Sequence, residues 1–204
     1  MDREQLIRRF ELTDRVVVVT GGTRGIGLAL AEGYVAAGAK VVIASRKADA
    51  CVEAQRHLAA LGGDALAVPT HLGDLDALDA LVETTVDRYG RLDVLVNNAG
   101  LMPLGAFVDE SDAVSRTTLD VNVWGVLLGM RLALPAMIAR RSGHIVNVAS
   151  MAGKFPIPGA AAYCASKFAV IGLGAAVRQE LEGTGVTIST VLPSAVRTGL
   201  VDGV

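Results

Sequence analysis

The stretch Val16-Val17-Val18-Val19-Thr20-Gly21-Gly22-Thr23-Arg24-Gly25-Ile26-Gly27 decides how the rest of the chain is read. Four consecutive valines with no polar alternation predict a strand buried on both faces. The glycines after them predict a tight turn, since glycine adopts positive φ freely and lets a backbone approach another group closely. Leu28–Ala37 is Ala-rich and is stopped by Gly38, so the turn leads into a helix. A glycine-rich turn after a first strand is where backbone N–H groups and a helix N-terminus favour a pyrophosphate. The spacing here is Gly-x-x-x-Gly-x-Gly and departs from the common Gly-x-Gly-x-x-Gly. Alone, it suits a plain strand-to-helix turn as well as a nucleotide cradle.

The same alternation repeats along the chain. Val41–Ala44, Ala65–Val68, Val94–Val96, His144–Ala149 and Val186–Leu192 read as strands. Helices are expected from about Ala48 to Leu61, after an Asp74 N-cap up to Gly90, from about Ala113 to Arg140, and over Ala160–Glu182. In the third helix Leu75, Leu78, Leu81, Val82 and Val86 form an apolar stripe. Apolar strands separated by helices predict an α/β fold with a doubly wound parallel sheet, helices on both faces. No linker or repeat interrupts it, so residues 1–204 are expected to be one domain, with 1–14 as an N-terminal extension.

Composition narrows the function. Of 204 residues, 51% are hydrophobic but only 4% aromatic, so the core must be built from Val, Leu, Ile and Ala. A net charge of -2 gives no footprint for nucleic acid or an anionic membrane. Cys51 and Cys164 are far apart, without metal-ligand spacing, and read as reduced thiols in a cytoplasmic protein with no metal site. The polar N-terminus (Asp2, Arg3, Glu4, Gln5) is unlike a signal peptide. Val121–Ala139 is apolar but contains Asn122 and Arg131, which makes a poor membrane span.

In such sheets an acidic residue about 20 positions beyond the glycine turn holds the ribose 2′-hydroxyl of NAD. That neighbourhood here is Ala44-Ser45-Arg46-Lys47. A hydroxyl and two cations, with Arg24 as a third charge, suit a 2′-phosphate, so NADP(H) is preferred and NAD(H) is possible. Arg46 and Lys47 also fit a second reading, as solvated loop cations.

Tyr163-Cys164-Ala165-Ser166-Lys167 places a tyrosine and a lysine one helical turn apart on one face, downstream of Ser150 at a strand end. A free phenol, with a pKa of about 10, is a poor proton donor or acceptor near neutrality. A neighbouring ammonium is expected to lower that pKa and allow proton exchange with a carbonyl or alcohol. Taken singly, Tyr163 and Lys167 could be packing and surface groups, Ser150 a cap, and Asn122 a buried amide satisfying backbone groups.

Together with Thr20–Gly27 and Asn97-Asn98-Ala99-Gly100, these residues resemble the short-chain dehydrogenase/reductase family, from about Arg15 to Thr198. The resemblance implies a Rossmann fold and hydride exchange between a nicotinamide and a ketone or secondary alcohol. By it, Tyr163 is the general acid/base, Lys167 also bonds the nicotinamide ribose, Ser150 polarises the substrate oxygen, and Asn122 holds a relay water. It implies cofactor contacts from Gly21, Thr23, Arg24, Gly25, Ile26, Gly27, Ser45, Arg46, Lys47 and Leu72. Asn98, Ala99, Gly100, Pro193, Val196 and Thr198 are implied on the same grounds. Leu101–Val108 and Met151–Gly159 would form the substrate pocket.

Three departures stand out. His71 replaces a usual aspartate at the adenine, Ser194 replaces a usual glycine, and the chain ends at Val204, before the family's usual cover and last strand. Val186–Leu192 is therefore expected to be an exposed edge strand. Two other functions compete with the oxidoreductase reading: a nucleotide-binding module without turnover, and a nucleotide-sugar epimerase. The expected partners are a small carbonyl or alcohol substrate and further copies of the chain, as a homodimer or homotetramer. The family commonly pairs through its two long helices, where Gly172, Gly174, Ala175 and Ala176 offer a small-residue surface.

Overall fold

The fold was established from a computed structural model, which describes residues 10–196. The elements alternate as β1 (Val16–Thr20), α1 (Gly25–Ala36), β2 (Lys40–Ser45), α2 (Ala48–Ala60), β3 (Ala65–Pro69), α3 (Leu75–Tyr89) and β4 (Val94–Asn97). Then follow α4 (Asp112–Leu119), a π-helical turn (Asp120–Trp124), α5 (Gly125–Ala139), β5 (Gly143–Val148), α6 (Ala161–Glu180) and β6 (Val186–Val191). The six strands are all parallel, in the order β3-β2-β1-β4-β5-β6. The order reverses between β1 and β4, so the loops after these two strands diverge and leave a crevice at their carboxyl ends.

The valine run explains why β1 lies at the centre. All five of its residues are buried, Val18 against one face of the sheet and Val17 and Val19 against the other. The Val18 face packs on α3, α5 and α6 through Leu78, Leu81, Met130, Met137 and Val170. The opposite face packs on α1 and α2 through Ala31, Ala54 and Leu58. Fully burying one aliphatic side chain contributes about 1.5–3 kcal/mol. The doubly wound parallel sheet is thus as expected, and among the described residues β6 is the last strand on its side.

Several local expectations are corrected. α1 starts at Gly25, not Leu28, with Gly25 at φ +55° leading the chain from the turn into the helix. In α3, Leu75 and Val86 are exposed, whereas Thr85 is fully buried with its hydroxyl donated to the Leu81 carbonyl at 2.7 Å. A threonine can occupy an apolar stripe this way, since its only donor is satisfied within the helix. The Asp74 cap is present, accepting from the amides of Asp76 and Ala77 at 3.0 and 3.3 Å. The long helix is not uniform but widens into the π turn. β6 alternates buried and exposed residues, so it is covered on one face only. Gly174 is not part of an open small-residue surface: it is buried, and a Cβ there would lie 2.7 Å from Thr190 Oγ1.

By length and composition alone, Asp112–Ala139 could cross a membrane, yet half of its apolar window is buried inside the fold. Among the described residues no group of three or more His, Cys, Asp or Glu side chains could hold a metal, and both cysteines are free and buried.

Candidate active site

The crevice between the ends of β1 and β4 opens into a cleft of about 660 Å³. Its floor is built by the glycine turn. Gly21 has φ +66° and lies so close to the next strand end that a Cβ would sit 2.9 Å from the Ala99 Cα. A Cβ on Gly27 would be 2.2 Å from the Gly21 carbonyl oxygen and 2.5 Å from Asn98 Nδ2. Both contacts require glycine, so the turn's composition follows from packing as well as from any ligand. The amides of Gly21 and Gly22 bond back to the Ala44 carbonyl at 2.7 and 3.4 Å.

Thr20 and Asn98 join the two strand ends. The Thr20 hydroxyl accepts from the amides of Asn98 (3.0 Å) and Ala99 (3.2 Å) and donates to the Val96 carbonyl. Asn98 Nδ2 donates to the Thr20 carbonyl at 2.9 Å. At one end of the cleft lie Thr23, Arg24, Ser45 and Arg46, with Thr23 Oγ1 donating to Ser45 Oγ at 3.1 Å. At the other lie Ser150, Tyr163 and Lys167 with Leu101, Met102, Met151 and Ile157.

Tyr163 and Lys167 are each only 5% exposed, and the ammonium lies 5.6 Å from the centre of the phenol ring. Lys167 Nζ donates to the Val148 carbonyl at 3.0 Å, which leaves two ammonium hydrogens with no protein partner among the described residues. Burial pulls the Lys167 pKa down from 10.5 to about 8. Burial also pushes the Tyr163 phenol above its ordinary 10, with hydrogen bonding to Ser150 acting the other way. This corrects the expectation of an acidified phenol: burial of Tyr163 is the largest influence and raises its pKa, and the neighbouring ammonium does not reverse it. Ser150 caps the 3₁₀ turn Met151–Gly153 by accepting from the Ala152 amide at 3.1 Å.

The cleft gathers most of the residues expected from the sequence. Gly21, Thr23, Arg24, Gly25, Ile26, Gly27, Ser45, Arg46, Leu72, Asn98, Ala99, Gly100, Ser150, Tyr163, Lys167, Pro193 and Val196 all line it. Lys47 is not among the lining residues; it is the exposed N-cap position of α2. Thr198 lies outside the described residues. Asn122 sits fully buried behind the wall, on the π turn, with its amide bonded to both backbone groups of Leu101. That matches the buried-amide alternative; π turns of this kind recur at functional sites.

Five lining residues had no signal in the sequence: Thr70, Val121, Val148, Ala149 and Ala195. Thr70, Val148 and Ala149 follow from the sheet order, because β3 and β5 end beside β2 and β4, whereas Val121 comes from the π turn and Ala195 from the segment after β6. Pro193 contributes more than lining: its carbonyl accepts from the Met151 amide at 3.0 Å and so fixes the turn after Ser150.

The donor set fits a dinucleotide phosphate. α1 begins without a side-chain cap and without an acidic residue in its first turn, so its first amides face the cleft free of an internal anion. Arg24 and Arg46 add charge at that end, and the spare hydrogens of Lys167 offer donors at the other.

Comparison with known proteins gives the same picture. The sequence model described as short chain dehydrogenase matches residues 15–204. A 3-oxoacyl-[acyl-carrier-protein] reductase from a Synechocystis species is 39% identical over 199 residues, covering 94% of this chain and 78% of the relative. The crystal structure of a metagenomic short-chain oxidoreductase in complex with NADP is 38% identical, with a TM-score of 0.86 over 91% of this chain and 85% of that one. A short chain dehydrogenase/reductase from Burkholderia phymatum in complex with NAD is 33% identical, with a TM-score of 0.92, covering 94% of this chain and 69% of that one. The chain therefore belongs to the short-chain dehydrogenase/reductase family of NAD(P)-dependent oxidoreductases.

Proposed function

We propose that this protein reduces a ketone to a secondary alcohol with NADPH, Tyr163 serving as the proton donor. The single observation that carries this reading is the burial of Tyr163 and Lys167 side by side on a cleft whose far end holds Arg24, Ser45 and Arg46. The chemistry a bound nicotinamide supplies is hydride transfer, so the chain's own residues need only position the carbonyl and manage a proton.

A raised phenol pKa suits that role. Tyr163 stays protonated near neutrality, so the donor form is the populated one before the reaction. As negative charge grows on the carbonyl oxygen, the phenol gives up its proton to it. The Ser150 hydroxyl donates a hydrogen bond to the same oxygen, and the Lys167 ammonium stabilises the phenolate left behind. Arg24 and Arg46 support the 2′-phosphate of NADP(H), with NAD(H) the weaker partner. Asn98, Ala99 and Gly100 line the middle of the groove, and Leu101, Met102, Met151 and Ile157 give its substrate end an apolar wall.

The test is NADPH oxidation against a panel of ketones, with Tyr163→Phe as the control. Turnover by the natural chain, and its loss by about 10²-fold or more in the variant with NADPH affinity retained, is the expected result. NADPH binding with no oxidation of any ketone would sink it. We further propose self-association through the exposed face of α6, where Phe168, Gly172, Ala175 and Ala176 lie open, in a cytoplasmic setting that keeps both thiols reduced.

A further inference from the structure

One buried polar group on α6 has no part in the reading above. Ser166 precedes Lys167, follows Tyr163 by three residues and has no exposed surface. Its hydroxyl donates to the Tyr163 carbonyl at 2.6 Å and accepts from Asn122 Nδ2 at 2.9 Å. The remaining bonds of Asn122 all run to one residue. Its Oδ1 accepts from the Leu101 amide at 2.8 Å, and its Nδ2 donates to the Leu101 carbonyl at 2.9 Å. Leu101 in turn lines the substrate end of the cleft beside Gly100 and Met102.

We propose that Ser166 is a positioning residue for the reaction, holding the Asn122 amide in one orientation and thereby setting the Leu101 wall against Tyr163. This rests on the oxidoreductase reading of the same cleft. The chain of bonds has a direction. A carboxamide can be turned over by exchanging its oxygen and nitrogen, and only its partners decide between the two orientations. The Ser166 proton is committed to the Tyr163 carbonyl, so the hydroxyl presents lone pairs to Asn122. Turning the amide would set Oδ1 against those lone pairs and against the Leu101 carbonyl, and Nδ2 against the Leu101 amide. Three like-for-like contacts at the fully buried Asn122 carboxamide exclude that arrangement.

The same helical turn that carries Tyr163 and Lys167 therefore also sets the loop after β4. A misplacement of about 1 Å at such a wall is enough to cost roughly 10²-fold in rate. Gly100 makes the seating tight, since a Cβ there would be 3.3 Å from Asn122 Oδ1 and 3.6 Å from Lys167 Nζ.

The experiment compares the natural chain with Ser166→Ala and Ser166→Cys in two measurements. The first is amide hydrogen exchange of Leu101 in the cofactor-free chain, with the β1 amides as an internal reference. The second is NADPH-dependent ketone reduction, resolved into kcat and the NADPH dissociation constant. Ser166→Ala is expected to speed Leu101 exchange about tenfold with β1 unchanged, and to lower kcat by about tenfold or more with NADPH affinity kept. Ser166→Cys restores volume but only a weak hydrogen bond, and is expected to fall between the two. A purely space-filling role predicts Ser166→Cys equal to the natural chain, and that result would overturn the proposal. So would unchanged Leu101 exchange in Ser166→Ala, whatever happens to turnover. Exchange needs neither cofactor nor substrate. Failure of the oxidoreductase reading would thus appear as an inactive natural chain, whereas failure of this proposal appears as a missing exchange difference.

Discussion

Replacing Lys167 with methionine removes a charge that the fold holds at a cost. The Lys167 ammonium deprotonates at about 8 in the folded chain instead of 10.5, with burial as the cause. Between those values the unfolded chain binds a proton that the folded chain does not. Stability therefore rises as pH climbs through this window, and the cost of burying the charge is fully present below pH 8. At pH 7 it amounts to about 3 kcal/mol, falling to about 1 kcal/mol at pH 9.5. The bond to the Val148 carbonyl is lost in the variant at every pH, so the difference between the two pH values isolates the charge. Urea denaturation of both chains at pH 7 and 9.5 is the assay. The natural chain should gain about 2 kcal/mol relative to Lys167→Met over that interval, while the variant loses turnover. Parallel stabilities at the two pH values would refute a desolvated, charged Lys167.

Three further outcomes are expected. Arg46→Ala should weaken NADPH binding about tenfold or more and leave NADH binding nearly unchanged, as read by fluorescence titration of each dinucleotide. Gly100→Ala should lower turnover about tenfold without a large loss of thermal stability, because the added methyl presses on Asn122 and Lys167 rather than on the core. Asp93→Ala should cost about 2 kcal/mol in chemical denaturation and leave NADPH affinity intact. That carboxylate is buried at the opposite end of the sheet, accepting from the Val16 amide at 3.0 Å and from Arg91 Nε at 2.9 Å.

How far the sequence could be read depended on which interactions were local. Unbroken runs such as Val16–Val19 announce buried parallel strands, and the Tyr163–Lys167 spacing follows from helical geometry. Both were legible without coordinates. The burial of Thr85 in place of Val86 was not, because it depends on how α3 rolls against the sheet. Lys47 follows Arg46 in sequence, yet it is the exposed N-cap position of α2 and does not line the cleft. The direction of the Tyr163 pKa departs from the sequence expectation for a related reason. Adjacency of Lys167 is written in the sequence, but the loss of water around Tyr163 arises only when Ala152 of the 3₁₀ turn, Ala160 and Met102 pack around it. Asn122 could be chosen as a site residue, yet its bonds to Leu101 and Ser166 require the π turn, which no residue pattern announced.

The pins between Thr20 and Asn98 carry one more consequence. They clamp the mouth of the crevice with bonds made entirely within the chain. Such a mouth has little configurational freedom left to surrender, so a visiting dinucleotide meets a ready-made seat and spends little of its affinity on ordering the host. Calorimetry should accordingly record only a small unfavourable contribution from the protein backbone at that end, with the ordering confined to the side chains that close over the ligand.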